Sequence, residues 1–115
     1  MRLPPEARSK YHATATIIDG VRFMSKREAS RYLTLKVQCQ AGLISHLVLQ
    51  PWFDLHVVDV SGSSRCIGRY VGDFEYVDAD TGEVIVEDVK GMRLPLYRWK
   101  KRHVEAEYGF TIQEV

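Results

Sequence analysis

Two short stretches place ionisable groups where apolar strands ordinarily hold none: Tyr70-Val71-Gly72-Asp73-Phe74 and Val84-Ile85-Val86-Glu87-Asp88-Val89-Lys90-Gly91. Side chains alternate across a strand, so Val84, Val86, Asp88 and Lys90 share one face while Ile85, Glu87 and Val89 share the other. Two carboxylates with an ammonium group beside them, at the end of such a face, are the layout of a metal-dependent phosphodiesterase site. Hard carboxylate oxygens hold a divalent cation, and a lysine offsets the charge that builds on a phosphate. The triplet Asp88-x-Lys90 carries little alone, because an acid-x-Lys spacing arises about once by chance in a chain of this length. Its weight comes from coincidence with a strand, an Asp on the neighbouring strand, a turn of suitable length between them and a basic helix afterwards.

The elements that would hold these groups can be read along the chain. Residues 1–10 are polar and contain proline, which reads as an arm. Thr14 to Ile18 and Val21 to Phe23 flank Asp19-Gly20, a two-residue hairpin signal. Ser25-x-x-Glu28 has the form of a capping box and opens a helix that runs to a stop near Ala41-Gly42, with Ala29, Tyr32, Leu33, the Lys36 stem and Val37 as its apolar face. Residues 44–60 read as one long strand, bulged or bent at Pro51. Turns at Ser61-Gly62-Ser63-Ser64 and Asp78-Ala79-Asp80-Thr81-Gly82 lead into strands at about 66–77 and 84–90, the three forming an antiparallel meander. Pro95 starts a second helix whose apolar spacing is Leu96, Trp99, His103, Ala106 and Tyr108 or Phe110, ending at Gly109. Thr111 to Val115 closes the chain as a short strand. Trp52 and Trp99 are expected in the core, an exposed Trp serving instead a dimer surface.

The 115 residues, 45% of them hydrophobic, fit one compact domain. The net charge of +1 hides a division along the chain: residues 1–46 carry +5, residues 47–90 carry −6 and residues 91–115 carry +2. An acidic centre between basic flanks suits a metal site that also holds a polyanionic backbone. The two cysteines, Cys39 and Cys66, lack the spacing of a disulfide framework or a Cys/His metal motif and read as reduced thiols, and His12, His46, His56 and His103 lack ligand spacing. No signal-like or membrane-spanning apolar run is present, so the expectation is a soluble cytoplasmic protein.

The resulting order, a helix, three strands, a helix and a strand, resembles the α-β-β-β-α-β core of the PD-(D/E)XK nuclease superfamily, an α/β restriction-endonuclease-like fold with a mixed central sheet flanked by helices. More closely, Lys10-Tyr11-His12-Ala13, Phe23-x-Ser25-Lys26-x-Glu28-Ala29, Leu49-Gln50-Pro51, Asp73-Phe74, Val86-Glu87-Asp88-Val89-Lys90-Gly91 and Tyr108-Gly109 resemble a family of small phage and prophage proteins placed in that superfamily. The similarity spans nearly the whole chain. More distantly, the chain resembles the endonuclease subunit of a cut-and-paste transposon and archaeal-type Holliday junction resolvases. The family's proline before the first strand acid is missing, since Gly72 precedes Asp73.

By position, the resemblance implies Glu28 as a helix acid, Asp73 and Asp88 as metal ligands, Val89 as a carbonyl ligand and Lys90 as the lysine. Glu28 reads equally as the cap partner of Ser25. Glu87 leaves the register of the strand acid open, with Asp88 preferred because it shares a face with Lys90. Gln50 is hard to place between the site and a solvated strand end. The cofactor implied is Mg²⁺, with Mn²⁺ as a substitute. DNA contacts are expected from Lys10, Tyr11, His12, Arg27, Arg98 and Lys101. The implied activity is a Mg²⁺-dependent DNA endonuclease, acting as a homodimer on branched or recombination DNA in the cytoplasm of a bacterial host. The competing reading is a non-catalytic DNA-binding or assembly subunit that has kept the fold.

Overall fold

The computed structural model describes residues 15–89 and 93–115. The chain divides into two compact units, Met1–Ala41 and Gly42–Val115. Among the described residues no helix is long and apolar enough to cross a membrane.

The first unit contains the antiparallel hairpin of β1 (Thr16–Ile18) and β2 (Val21–Phe23), followed by helix α1 (Lys26–Gln40). Asp19 and Gly20 both take positive φ, 53° and 76°, as a type I′ turn demands. Ser25 caps α1, its Oγ accepting the Glu28 N–H at 3.1 Å. The expected apolar face of α1 needs correction: Ala29 and Leu35 are buried, whereas Leu33 and Val37 are exposed. The hairpin decides this. Tyr32 donates to the Asp19 carboxylate at 2.7 Å, Lys36 pairs with it at 2.6 Å, and the Phe23 ring lies 5.0 Å from that of Tyr32. Holding Tyr32 and Lys36 against the hairpin turns their neighbours Leu33 and Val37 away by about 100° per residue.

The second unit is mixed α/β. It contains β3 (Ile44–Leu49), β4 (Trp52–Val58), β5 (Ser64–Val71), β6 (Phe74–Asp78), β7 (Val84–Asp88), α2 (Pro95–Tyr108) and β8 (Ile112–Glu114). A mixed sheet runs in the order β3-β6-β7-β8, with β8 parallel to β7 and the other pairs antiparallel. Strands β4 and β5 form a separate antiparallel ribbon. The single strand expected over 44–60 is therefore two, and so is the one expected over 66–77, so the three-stranded meander is not formed.

Both breaks fall at one corner. Gln50 adopts φ 51°, Pro51 lacks an N–H to offer the ladder, and the chain turns there as it does at Gly72-Asp73. Hydrogen bonds continue round the corner: the Gln50 N–H donates to the Asp73 carbonyl at 2.9 Å and the Gly72 N–H to the Pro51 carbonyl at 2.8 Å. Gly72 is buried, and a Cβ there would stand 3.2 Å from Val86 Cγ1 and 3.5 Å from Pro51 Cγ. Close approach of three chain segments explains why a side chain is missing immediately before Asp73.

The bent ribbon and α2 enclose one core: Leu55 of β4, Tyr70 of β5, Val86 of β7, Val104 of α2 and Ile112 of β8, with Phe53, Tyr97 and Phe110 packed against it. Burying each such side chain is worth roughly 1.5–3 kcal/mol. The buried stripe of α2 thus runs through Tyr97 and Val104; of the expected positions His103 is half-buried and Phe110 packs on the core, whereas Leu96, Trp99, Ala106 and Tyr108 are turned outward. Leu96 and Trp99 are exposed, as is Trp52, which stacks under the Arg69 guanidinium at 4.0 Å instead of entering the core. Gly109, at φ 79°, ends α2 as expected.

Candidate functional site

The corner described above fixes Asp73 between two strands. Its N–H donates to the Glu87 carbonyl at 3.0 Å, and its Oδ2 accepts the Val89 N–H at 2.6 Å. Its carboxylate is thereby bound to the end of β7, one residue beyond Asp88. Asp88 is only 2% exposed, and its Oδ2 accepts the Tyr70 hydroxyl at 2.6 Å. Asp73, Asp88 and Val89, three of the residues singled out in the sequence, come together here.

The two adjacent acids of β7 part to opposite faces, as strand alternation requires. Glu87 is 1% exposed and accepts the Tyr76 hydroxyl, on the face that carries Phe74. Asp88 points to the Tyr70 side, where Val86 enters the core. The Tyr70 phenol is pushed far above its ordinary value by burial, then by its bond to Asp88 and the Asp88 charge, with Tyr97 and Asp73 adding to it. Tyr70 is a fixed donor at neutral pH, and both Asp73 and Asp88 act on it.

Three members of this site were missed in the sequence: Tyr70, Tyr97 and Glu114. Parallel pairing sets Glu114 opposite Asp88. Glu114 accepts the Tyr97 hydroxyl at 2.7 Å and the Arg93 Nε–H at 3.1 Å, and lies 3.6 Å from Lys101 Nζ. The Tyr97 bond, with help from Arg93 and Lys101, holds the Glu114 carboxyl below its usual range. The Tyr97 phenol is raised, first by burial, then by Glu114 and the charge of Asp88. The only sequence signal was the acid in the last strand, and its register against β7 is not written in local spacing.

Arg98 is exposed, and with Arg93, Tyr97, Lys101 and Glu114 it lines a shallow cleft beside this cluster. A larger groove, about 780 Å³, is lined by residues including Phe53, Tyr108 and Phe110, and Asp73, Asp88 and Val89 line neither it nor the smaller cleft. Chemistry favours the smaller cleft, because it joins the Glu105 and Glu114 carboxylates to Arg93, Arg98 and Lys101, and Glu114 stands opposite Asp88 in the sheet. Gln50 lies at the corner and is tied to Asp73 through backbone. Glu28 and Arg27 stand in the first turn of α1, in the first unit. Lys10, Tyr11, His12 and Lys90 lie outside the described residues.

The donor set suits a hard cation. Asp73 and Asp88 each accept a protein donor through Oδ2, and carboxylate oxygens are the ligands that a hard divalent cation takes. Donors that hold a carboxylate in place also orient it, as outer-sphere partners do in metal sites.

Residues 8–113 match the family described as "Protein of unknown function (DUF1064)". The chain belongs to that family. No curated protein and no solved structure matches the chain. The family description assigns no activity, so the functional reading rests on the residues themselves.

Proposed function

We propose that this chain is a Mg²⁺-dependent DNA endonuclease of the PD-(D/E)XK type. The observation that carries the reading is the Asp73 carboxylate bound at 2.6 Å to the Val89 N–H, which joins it to the strand end bearing Asp88. The order of elements supports it as well. With the β4–β5 ribbon taken as an extension between the first two core strands, α1, β3, β6, β7, α2 and β8 give the α-β-β-β-α-β succession, closed by a parallel strand.

In this reading Asp73, Asp88 and the Val89 carbonyl hold the cation, and Mn²⁺ can replace Mg²⁺. When bound, the ion supplies a water of lowered pKa and positive charge against the scissile phosphate. Tyr70 fixes the Asp88 carboxylate and the Val89 N–H fixes that of Asp73, so neither must reorganise when substrate arrives. Lys90, two residues beyond Asp88, stabilises charge on the phosphate and acts chiefly through electrostatics. Arg98 and Lys101 meet the DNA backbone, Lys101 being shared with Glu114. Lys10, Tyr11, His12 and Arg27 are the other DNA contacts of this reading. The substrate is branched or recombination DNA, the active form a homodimer, and the setting a bacterial cytoplasm with phage or prophage origin.

One observation favours a second reading. Asp88 is almost fully buried and already bonded to Tyr70, as a structural acid in a non-catalytic DNA-binding subunit would be. A panel of linear, nicked, flap and four-way DNA, incubated with Mg²⁺ or with EDTA, separates the two. The proposal expects Mg²⁺-dependent cleavage that is lost in Asp73→Ala and Lys90→Ala proteins that still fold and bind DNA. Binding of the same DNA without cleavage by the parent protein supports the second reading, and cleavage that persists in both variants removes the site.

A further inference from the structure

The β4–β5 ribbon carries a second constellation that the nuclease reading does not use. Asp54 and His56 are two residues apart on β4, hence on one face, and the register sets His56 opposite Cys66 of β5. A register shift between Leu55 and His56 gives β5 an extra residue there, a bulge of the kind that re-aims side chains. The result is that a carboxylate oxygen of Asp54, a ring nitrogen of His56 and the Cys66 sulfur all lie within 4.8 Å of one another. Neither cysteine is in a disulfide.

We infer that Asp54, His56 and Cys66 form a site for a zinc-type divalent cation, open to solvent in its fourth position. A tetrahedral ion with ligand bonds of about 2.0–2.3 Å sets its donors about 3.3–3.8 Å apart, so closing from separations within 4.8 Å requires at most roughly 1–1.5 Å of side-chain movement. The support around the histidine is already in place. Glu107 of α2 accepts the His56 backbone N–H at 2.6 Å through Oε1 and lies 2.6 Å from His56 Nδ1 through Oε2. A carboxylate on Nδ1 fixes the proton there and leaves the Nε2 lone pair for a metal, the carboxylate–histidine arrangement common around bound zinc. His103 Nε2, 3.3 Å from Glu107 Oε1 and 2.9 Å from the His56 carbonyl, steadies the same carboxylate.

What the ion displaces is weak. The Cys66 thiol makes a 3.4 Å contact with the Gly68 carbonyl, and Asp54 makes an exposed ion pair with Arg69 at 3.1 Å. On binding, the Cys66 S–H proton passes to solvent and the thiolate becomes the ligand. A sulfur, nitrogen and oxygen set selects zinc or cobalt over magnesium, which separates this site chemically from the all-oxygen cluster of Asp73 and Asp88. The inference is independent of the nuclease reading. Bound there, the cation ties the two strands of the ribbon together and, through His56 and Glu107, to α2.

The test is a cobalt titration of the full chain in a Cys39→Ser background, so that any thiolate signal comes from Cys66. One equivalent of Co²⁺ is expected to give a thiolate-to-cobalt charge-transfer band with tetrahedral d–d absorption. Zinc should bleach it and excess magnesium should not. Cys66→Ser should abolish the band, His56→Ala should weaken binding at least about tenfold, and Glu107→Gln should weaken it roughly tenfold. Absence of the band in the parent, or an affinity unchanged in His56→Ala, overturns the inference. Circular dichroism of each apo variant shows that the comparison is between folded proteins.

Discussion

Tyr70→Phe is the change that isolates the support of the acidic cluster. It removes one oxygen and keeps the ring, so the stacking on Phe53 at 6.4 Å between centroids and the packing against Val86 are retained. What disappears is the 2.6 Å bond to Asp88, a carboxylate with 2% of its surface exposed. A hydrogen bond to a charged group is worth about 1.5–3 kcal/mol, and an acceptor this deep regains little from water. The expected loss is about 2 kcal/mol, which for a domain of roughly 100 residues lowers Tm by about 8–16 °C. Urea denaturation followed by tryptophan fluorescence and circular dichroism measures it. A double-mutant cycle with Asp88→Asn assigns it, with an expected coupling of at least about 1 kcal/mol. A loss below about 0.5 kcal/mol, or additivity of the two changes, would mean that Tyr70 does not hold Asp88 and that the site lacks the rigidity argued for it.

Gly72→Ala puts a Cβ 3.2 Å from Val86 Cγ1 at the corner that carries Asp73, so a loss of about 1 kcal/mol is expected in thermal or urea denaturation, with Gly68→Ala, where the space is open, as the mild control. Glu114 titrates below its usual range when folded, so its contribution to stability is present above the ordinary carboxylate pKa and disappears as pH falls through the folded value. Tyr97→Phe should move the Glu114 titration, followed by side-chain NMR, upward toward the ordinary value. The stability gap between wild type and variant should close on acidification, whereas a gap independent of pH would refute the assignment. Arg98→Ala should weaken DNA binding similarly across sequences and lower the slope of log K against log salt by about one, as loss of a phosphate contact does.

Local chemistry made the turns and caps legible. Asp19-Gly20 needs two positive φ values, Ser25 offers its hydroxyl to the Glu28 N–H, and Gly109 ends a helix that Pro95 begins, all decided within a few residues of chain. The corner at Gln50-Pro51 and Gly72-Asp73 was not legible, because each half alone reads as a bend in a long strand and only their mutual hydrogen bonds turn two strands into four. The helix faces were legible only in part, for a related reason: Ala29, Tyr32 and Lys36 lie as expected, whereas Leu33, Val37, Leu96 and Trp99 turn outward. Both helices carry two apolar stripes, and which one is buried depends on partners distant in sequence: Asp19 and Phe23 for α1, and Leu55, Tyr70 and Val86 for α2. In the site, alternation along β7 correctly separated Asp88 from Glu87. The phenols that anchor those acids, and Glu114 beside Asp88, depend on strand register. His56 and Cys66 lack any metal-motif spacing, since a bulged ribbon and not a sequence interval brings them together.

In the proposed function the end of β7 gathers a divalent cation between Asp73 and Asp88. Val89 reports on it, because its N–H is the group bonded to the Asp73 carboxylate. In a Cys66→Ser background, which disarms the ribbon site, substoichiometric Mn²⁺ is added to ¹⁵N-labelled protein and amide line broadening is mapped. The amides of Val89, Asp88 and Asp73 should broaden first, and Asp73→Ala should abolish the effect. Sharp Val89 and Asp88 resonances, with broadening centred elsewhere or absent, would contradict it.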